Sequence, residues 1–300
     1  MNLEKNSCFL NINKAKHVTS TDVVNLVKKL LRVKKCGHAG TLDPIATGVL
    51  PIALNKATKL VSMIYENDKE YLVTAKMGIK TDTFDITGNT IKISEYVPEK
   101  DELLKVIENF IGEIDLEIPI YSAVKINGER AYNLARKNLI SSCGTKKSKI
   151  YDIDFISYEY PYFKLLIKCG KGTYIRSLVN EIGLKMGSFA TVVDLVRLRV
   201  GKFMIEDAIP FGKLKEGKIT ENDVVSINNI LDLPRIIVRD SAKDKIKNGQ
   251  FPNRSECIFL PEGKTYKAAI YDESNELLGV ARRIDDKAGL KYKIEKMLVS

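Results

Sequence analysis

The stretch from Gly37 to Pro51 constrains this chain more than any other, because it mounts one carboxylate in a loop rich in glycine and proline. Pro44 disfavours helical dihedral angles at the residue before it, so Asp43 is expected to be extended. The three glycines permit a positive φ or a close backbone approach. Neither G-x-x-x-x-G-K-[ST] nor G-x-G-x-x-G spacing occurs, which argues against a nucleotide phosphate loop. Local features alone leave two interpretations, a rigid loop that presents Asp43 or an ordinary turn with a solvated aspartate.

The charge balance favours an anionic partner. Lys and Arg number 48 against 38 Asp and Glu, which gives a formal net charge of +10 and a sequence pI of about 9.1. A basic balance of this size favours nucleic acid before membrane. The alternative is an enzyme that is basic for no functional reason.

Composition also excludes several classes of protein. No apolar run approaches the roughly 20 residues of a membrane span. Residues 1–5 lack a hydrophobic signal region, so we expect a cytoplasmic protein. The five cysteines are scattered and the chain has 2 histidines, so we predict no metal site and no disulfide.

Apolar periodicity predicts an α+β protein. Strands are expected at 8–12, 71–77, 150–157, 162–169 and 191–203, with short strands near 257, 268 and 278. Helices are expected at 19–35, 55–67, 99–111, after 173 and at 241–248, with 207–231 helical in parts. Leu233-Pro234 looks like a boundary, which predicts a large domain at 1–231 and a small one at 232–300.

The Gly37–Pro51 stretch resembles the catalytic motif of TruB-type tRNA pseudouridine synthases, Gly-His-x-Gly-x-Leu-Asp-Pro-x-Ala-x-Gly-x-Leu-Pro, and meets every fixed position of it. The resemblance runs from about Cys8 to about Phe203, and more weakly to the C-terminus. It implies a pseudouridine synthase fold, a mixed and mainly antiparallel sheet flanked by helices and loops. It also implies, weakly, a C-terminal PUA-like β domain that binds RNA.

The resemblance further implies an activity, the isomerisation of uridine 55 in the T-arm loop of tRNA to pseudouridine. That reaction breaks the N1–C1′ bond, turns the uracil and joins C5 to C1′, so no cofactor is expected. The uridine must first be turned out of the RNA loop. The implied partner is the tRNA T-arm stem-loop, and we expect a monomer.

The catalytic residues implied by the resemblance are Asp43, Tyr71 and Arg176. Arg176 ends Gly-Thr-Tyr-Ile-Arg, the segment whose arginine pairs with the motif aspartate in the family. Tyr71, from Lys-Glu-Tyr, is expected to stack on the uracil and to relay the proton lost from C5. Spacing alone leaves open a helix-surface charge for Arg176 and a core tyrosine for Tyr71.

Three further residues are implied to meet the substrate. Tyr174 and Leu195 are expected to complete the pocket wall beside Tyr71, although periodicity alone makes Leu195 a core residue. His38 is expected to fill the gap that the turned-out uridine leaves, and the alternative is a loop histidine with ordinary hydrogen bonds.

The segment 121–149 mixes basic and aromatic residues and resembles the mobile insertion with which the family grips the RNA stem-loop. Basic groups neutralise phosphate and aromatic rings stack on bases. Lys125, Arg130 and Arg136 are expected to contact RNA, as is Lys14, while a solvated basic loop is the alternative. Relatives carry Asp-Lys-Pro-x-Gly around that lysine, whereas residues 13–17 here keep only the lysine.

Two competing functions remain at this point. One is a related synthase that depends on a guide RNA within a ribonucleoprotein and shares the aspartate motif. The other is a non-catalytic tRNA chaperone. The presence of Asp43, Tyr71 and Arg176 argues against the chaperone as the sole role.

Overall fold

The computed structural model describes residues 6–137, 139–261, 266–286 and 289–299. Residues 1–5, where the sequence predicts no signal region, lie outside the described residues. The α-helices are α1 (Ser20–Leu31), α2 (Val61–Tyr65), α3 (Lys100–Glu108), α4 (Ala131–Arg136), α5 (Ile175–Lys185), α6 (Phe211–Lys215) and α7 (Lys243–Lys247). None of these described helices is both long and apolar enough to cross a membrane.

The strands alternate with these helices along the chain. The N-terminal two thirds hold β1 (Cys8–Lys14), β2 (Cys36–His38), β3 (Thr47–Leu54), β4 (Lys69–Met77), β5 (Ile79–Thr81), β6 (Thr90–Ile93), β7 (Gly112–Glu117), β8 (Lys125–Ile126), β9 (Glu129–Arg130), β10 (Thr145–Glu159), β11 (Tyr162–Cys169) and β12 (Ala190–Val200). The remainder holds β13 (Phe203–Met204), β14 (Ile209–Pro210), β15 (Val224–Ser226), β16 (Arg235–Val238), β17 (Cys257–Phe259), β18 (Lys267–Tyr271), β19 (Leu277–Asp286) and β20 (Gly289–Met297).

The large sheet positions the site. Among the described residues it has eleven strands, with the central order β14-β1-β3-β12-β4-β11-β10-β7. Its pairs are antiparallel except β1 with β14 and β3 with β12. The parallel β3–β12 pair brings the end of the Gly37–Pro51 stretch beside the strand that carries Leu195. The prediction of a mixed, mainly antiparallel sheet is confirmed.

The main core lies between this sheet and three helices. Val23 and Val27 of α1, Leu103 of α3, and Leu178 and Ile182 of α5 are buried in one cluster with the sheet. Each helix presents an apolar stripe at i, i+3, i+4 spacing, so burial of the stripe holds it against the sheet.

Helix α1 shows how the sequence fixes one of these elements beside the site. Its capping residue Thr19 accepts from the Asp22 N–H at 3.0 Å, and the Asp22 carboxylate accepts from the Thr19 N–H at 3.0 Å. This reciprocal capping box fixes where the helix starts. It thereby orients Ser20, the first helical residue, towards the loop that carries Asp43.

The second sheet comprises, among the described residues, five strands in the order β17-β16-β18-β19-β20. The sequence predicted β17, β18 and β19 but neither β16 nor β20. Part of this domain packs on the large one, since Tyr271, Val280 and Leu298 are buried in a cluster with Phe9 and Phe203. The predicted small C-terminal β domain is confirmed.

Two local predictions are corrected. Residues 145–149, expected in a loop, begin strand β10 and pair antiparallel with β7. Among the described strands, residues 145–149 pair with β7 alone, and only alternate side chains such as Ser148 and Ile150 are buried, so Lys147 and Lys149 remain exposed. Residues 55–67, expected as one helix, form a 3-10 helix over Asn55–Leu60 followed by the single turn of α2.

Candidate active site

The loop between β2 and β3 carries Asp43, and its neighbours in sequence are bonded to other elements. The Ser20 hydroxyl accepts from the Leu42 N–H at 2.9 Å and bonds to the Leu42 carbonyl at 3.1 Å. The Pro44 carbonyl accepts from the His17 N–H at 2.7 Å, and the Ala46 N–H closes a tight turn on the Asp43 carbonyl at 3.1 Å. Asp43 therefore stands on a backbone that is held on both sides.

Arg176, in the first turn of α5, binds the Asp43 carboxylate. Its Nε donates to Asp43 Oδ2 at 2.8 Å, and the arginine side chain is 4% exposed against 32% for the aspartate. Nη1 donates to the Thr83 carbonyl at 2.7 Å, and Nη2 donates to the Tyr121 carbonyl at 3.1 Å. The arginine is buried, so it is not a helix-surface charge.

Asp85 is a second carboxylate beside this arginine, and sequence reasoning did not assign it a role. Its Oδ2 lies 3.4 Å from Arg176 Nη1, and its Oδ1 accepts from the Thr87 N–H at 3.0 Å. The signal was present in Thr81-Asp82-Thr83-Phe84-Asp85, a polar turn that is similar to the Thr-Asp-Thr-x-Asp of the family. Two carboxylates thus share one buried guanidinium, which compensates the cost of burying each charge.

A cavity of about 350 Å³ opens at Asp43. This volume lies within the range of small-ligand sites in proteins. Its lining comes from the Asp43 loop, from β4, β12 and the start of α5, and from the segment after β7: Gly40, Thr41, Leu42, Asp43, Tyr65, Lys69, Tyr71, Ile118, Ser122, Ala123, Val124, Arg130, Lys146, Gly170, Gly172, Thr173, Tyr174, Ile175, Leu195 and Arg197.

The structure brings Tyr71, Tyr174 and Leu195 together with Asp43 at this cavity. Tyr71 and Leu195 are buried, and the strands that carry them, β4 and β12, are hydrogen-bonded neighbours. Burial raises the pKa of Tyr71 to about 12, and the positive charge of Arg197 opposes that rise. Burial also raises the pKa of Tyr174. Both phenols therefore carry their protons at neutral pH.

His38 lies at the end of β2, paired with Ile52 of β3, and is not among the residues that line the cavity. Its Nδ1 is buried and has no hydrogen-bond partner among the described residues. Burial lowers the pKa of His38, and the positive charges of Arg197 and Arg130 lower it further. The imidazole is therefore neutral at physiological pH.

The prediction that Lys14 contacts RNA is wrong. Its side chain is fully buried, with 0% exposure. Its Nζ donates to the carbonyls of Ala15 at 2.8 Å, Val18 at 2.7 Å and Pro44 at 3.5 Å. A buried ammonium on three carbonyls cannot reach a phosphate, so Lys14 holds the turn next to Asp43 instead.

The same turn explains how the chain tolerates its departure from the family pattern at 13–17. His17 adopts a φ of 63°, in the left-handed region where glycine is favoured. The hydrogen bonds of Lys14 and of the His17 N–H to Pro44 keep the turn formed.

The other three residues that are expected to contact RNA are exposed. Lys125 and Arg130 lie on the short β8–β9 hairpin, and Arg136 ends helix α4. Arg130 also lines the cavity. The Arg136 guanidinium lies 5.7 Å from the Tyr132 ring centroid. Their role in RNA binding stays a prediction.

Arg197 is a second residue to which sequence reasoning assigned no role. It lines the cavity from β12, two residues after Leu195, and its side chain is buried. Alternation along a strand puts residues i and i+2 on one face, so a charge two positions after a buried leucine was the signal that could have found it.

Among the described residues, no cluster of His, Cys, Asp and Glu is arranged to hold a metal ion.

Comparisons with known proteins agree with this geometry. Residues 28–175 match the family described as TruB family pseudouridylate synthase (N terminal domain). The chain is 37% identical to tRNA pseudouridine synthase B of Clostridium kluyveri over 292 residues, 97% of this chain and 99% of the relative. It is 39% identical to tRNA pseudouridine synthase B of Clostridium perfringens strain 13 over 295 residues, 97% and 98% of the two chains.

Solved structures with the same fold include a Cbf5-Nop10-Gar1 complex, at a TM-score of 0.73 and 26% identity, covering 99% of this chain and 86% of that one. An H/ACA RNP bound to a substrate RNA containing 2'-deoxyuridine matches at a TM-score of 0.72 and 25% identity, covering 98% and 85%. These likenesses confirm the pseudouridine synthase fold, with a small C-terminal domain of the PUA-like type. With the identity to the bacterial enzymes over nearly their whole length, they establish that the chain belongs to the TruB family of tRNA pseudouridine synthases.

Proposed function

We propose that this enzyme isomerises uridine 55 in the T-arm loop of tRNA, with Asp43 as the carboxylate that acts on the nucleoside. One observation carries the proposal. The Asp43 carboxylate borders a cavity of about 350 Å³ while its Oδ2 is bonded at 2.8 Å to a buried arginine. The fixed acid beside a nucleobase-sized space is what a glycosidic bond exchange requires.

The exchange needs no other reactant. The N1–C1′ bond breaks, the uracil turns within the cavity and C5 joins C1′. The proton on C5 then leaves to solvent and N1 takes up a proton in its place, so the product is an isomer of the substrate. Arg176 keeps its charge when desolvated and fixes the direction of the carboxylate through its planar guanidinium. The cavity walls hold the detached uracil near C1′, so the two fragments recombine without diffusing apart.

Tyr71 supports the base and moves the proton. Its ring offers a stacking surface to the uracil, and its buried hydroxyl is protonated at neutral pH because its pKa is about 12. The hydroxyl therefore acts as a proton relay. It accepts the C5 proton while it gives up its own proton. Tyr174 and Leu195 close the remaining walls of the cavity.

Access to the cavity requires that the uridine leave the RNA stack, at a cost of a few kcal/mol. His38 is neutral because burial lowers its pKa, and its flat imidazole ring is the group that fills the gap left by the uridine. Lys125, Arg130 and Arg136 offer exposed positive charge to the stem-loop phosphates.

The decisive experiment replaces Asp43 by Asn. We expect tritium release from C5-labelled uridine in tRNA to fall by about 10³-fold or more, because the carboxylate takes part in the chemical step. The dissociation constant for tRNA is expected to change by less than about threefold. Asp207→Asn, which removes an exposed carboxylate after β13, is the matched control and should keep normal turnover. Turnover by Asp43→Asn at the rate of the control would exclude the mechanism.

The choice of substrate is tested separately. The bacterial relatives, at 37–39% identity, are tRNA pseudouridine synthases, whereas the H/ACA RNP and the Cbf5-Nop10-Gar1 complex match at 25–26%. This difference favours action on tRNA without a guide. We expect the purified chain to modify a bare tRNA transcript at uridine 55, and tRNA from cells lacking the protein to be unmodified there. A requirement for a guide RNA would contradict this.

A further inference from the structure

Arg197 is the largest of the side chains that are almost completely buried, with 1% exposure. Its Nε donates to the Val49 carbonyl at 2.7 Å. Its Nη1 donates to the Thr41 carbonyl at 3.2 Å, and its Nη2 donates to the Gly40 carbonyl at 3.1 Å. All three guanidinium nitrogens are therefore bonded to main-chain oxygens.

Within the described part of the chain, no carboxylate forms an ion pair with Arg197. A buried cation without an opposite charge is costly, and an apolar side chain of similar volume is usually the more stable choice. Stability of the core therefore does not account for an arginine at this position. The neighbours of Arg197 indicate why an arginine occupies this position.

The three carbonyls belong to the two ends of one loop. Gly40 and Thr41 precede Asp43 by three and two residues, and Val49 lies in the return strand β3 after it. One planar guanidinium thus bridges both arms of the loop. Arg176, in contrast, bonds the Asp43 carboxylate but none of these carbonyls.

The main chain of Arg197 meets the same loop. Arg197 pairs in parallel register with Gly48. A Cβ added at Gly48 would lie 2.2 Å from the Arg197 carbonyl oxygen, and Gly48 has a φ of +103°. The loop and the arginine strand are therefore in direct backbone contact as well as joined by the side chain.

Arg197 also stands opposite Tyr71, as its direct antiparallel partner between β12 and β4. Both residues line the cavity. A positive charge beside a buried phenol favours any negative charge that develops on its oxygen as a proton passes through it. The same guanidinium thus meets the two groups on which the proposed chemistry depends.

We propose that Arg197 is a positioning residue for the isomerisation, which sets the distance between the Asp43 loop and Tyr71 while itself making no contact with the uridine. This inference rests on the proposed function and deepens it. Arg176 aims the carboxylate, and Arg197 fixes the loop that carries it against the strand that carries the relay phenol. Loss of Arg197 then affects the chemical step more than the binding of tRNA.

The test compares Arg197→Lys with wild type. A lysine keeps the charge but cannot span three carbonyls with one planar fork. We expect the single-turnover rate constant at saturating tRNA to fall by about 10- to 100-fold, since a shift of about 1 Å in a reacting group has effects of this size. The tRNA dissociation constant is expected to stay within about threefold. Hydrogen exchange at the amides of residues 40–47 should become faster.

A single-turnover rate constant within about threefold of wild type would overturn the inference. So would a loss of rate accounted for by a matching loss of folded protein or of tRNA affinity, because that result describes a merely structural residue. Should Arg197→Lys fail to fold, Arg197→Gln is measured in the same way, with a rate loss at least as large expected and the same results counting against it.

Two further variants complete the design. Arg199→Lys, on the same strand, changes an arginine that pairs with Glu70 and should leave the rate within about twofold. Asp43→Asn separates the two proposals. If Asp43→Asn is inactive and Arg197→Lys is normal, only the inference on Arg197 fails, whereas an active Asp43→Asn removes the proposed function itself.

Discussion

The Asp43 loop, residues 37–51, and the insertion, residues 121–149, both border the cavity, yet they are held in different ways. The loop is bonded by buried side chains from four other elements: Lys14 of β1, Ser20 of α1, Arg176 of α5 and Arg197 of β12. The insertion is joined to the buried site at Tyr121, whose carbonyl accepts from Arg176. From there to Lys137 its bonds are mostly local, such as Ala131 N–H to Val124 and an exposed Lys137–Glu129 pair. Lys125 and Arg136 are exposed, whereas Arg130 also lines the cavity.

The difference matches two separate tasks. A carboxylate that takes part in bond exchange must keep its position within fractions of an ångström, which requires neighbours that are themselves locked. A surface that grips RNA must adapt to its ligand, and segments with few buried contacts open at low free-energy cost. Binding and chemistry are therefore expected to respond separately to mutation.

Among the variants that test this comparison, the largest effect is expected at Arg176, which holds the Asp43 loop. Arg176→Ala removes the partner of Asp43 and leaves Asp85 as a buried carboxylate without a cation, a loss of about 3–5 kcal/mol in the free energy of unfolding. We expect turnover to fall by at least about 10²-fold for Ala and by about tenfold for Lys, which keeps a charge but not the fork. Equal turnover in both variants and wild type would remove the ion pair from the mechanism.

A smaller and different effect is expected in the insertion. Lys125→Gln, Arg130→Gln and Arg136→Gln should each weaken tRNA binding and reduce the slope of log affinity against log salt by about 0.7–0.9. The single-turnover rate at saturating tRNA should change by less than about threefold. Lys105→Gln, which removes an exposed charge from α3, is the control. If these variants slow the chemical step while tRNA affinity is unchanged, the division between the two regions is wrong.

The smallest effect concerns Lys14, whose contribution to the free energy of unfolding depends on pH. Burial lowers the pKa of Lys14 to about 8, against about 10.4 in an unfolded chain. Between these values the unfolded state binds more protons, so the contribution of Lys14 to stability rises with pH. The difference in free energy of unfolding between wild type and Lys14→Met should grow by about 1–2 kcal/mol from about pH 7.5 to about pH 9.5.

Lys16→Met, next in the same turn but partly exposed beside Asp194, is the control and should show no such growth. Denaturant unfolding at the two pH values measures both differences. A difference for Lys14→Met that stays constant with pH would show that the ammonium is not buried in solution.

The sequence was informative where the chemistry depends on a contiguous motif. Asp43 and Arg176 were predicted to pair because each lies in a run of fixed residues, and the structure places Arg176 Nε 2.8 Å from Asp43 Oδ2. Arg176 was nevertheless expected off the buried stripe of α5. It is buried because two carboxylates from other parts of the chain compensate its charge, which helical periodicity does not report.

The misses share a physical cause. Lys14 and Arg197 are cations whose partners are main-chain carbonyls, and any residue can supply a carbonyl. Nothing in the side-chain pattern therefore marked Lys14 as buried or Arg197 as a bridge between two ends of a loop. Asp85 was missed for a related reason, since its partner lies 91 residues away and the local sequence satisfies it as an ordinary turn.

The close approach of the Arg197 main chain to Gly48 limits which residues can occupy position 48. Even the smallest replacement, alanine, would place a methyl carbon 2.2 Å from the Arg197 carbonyl oxygen, on a backbone with a φ of +103° that L-residues rarely adopt. The two parallel strands would have to separate, and the arginine on one would lose its hold on the other. One methyl group, added five residues after Asp43 in the sequence, would thus disturb the loop that carries this carboxylate.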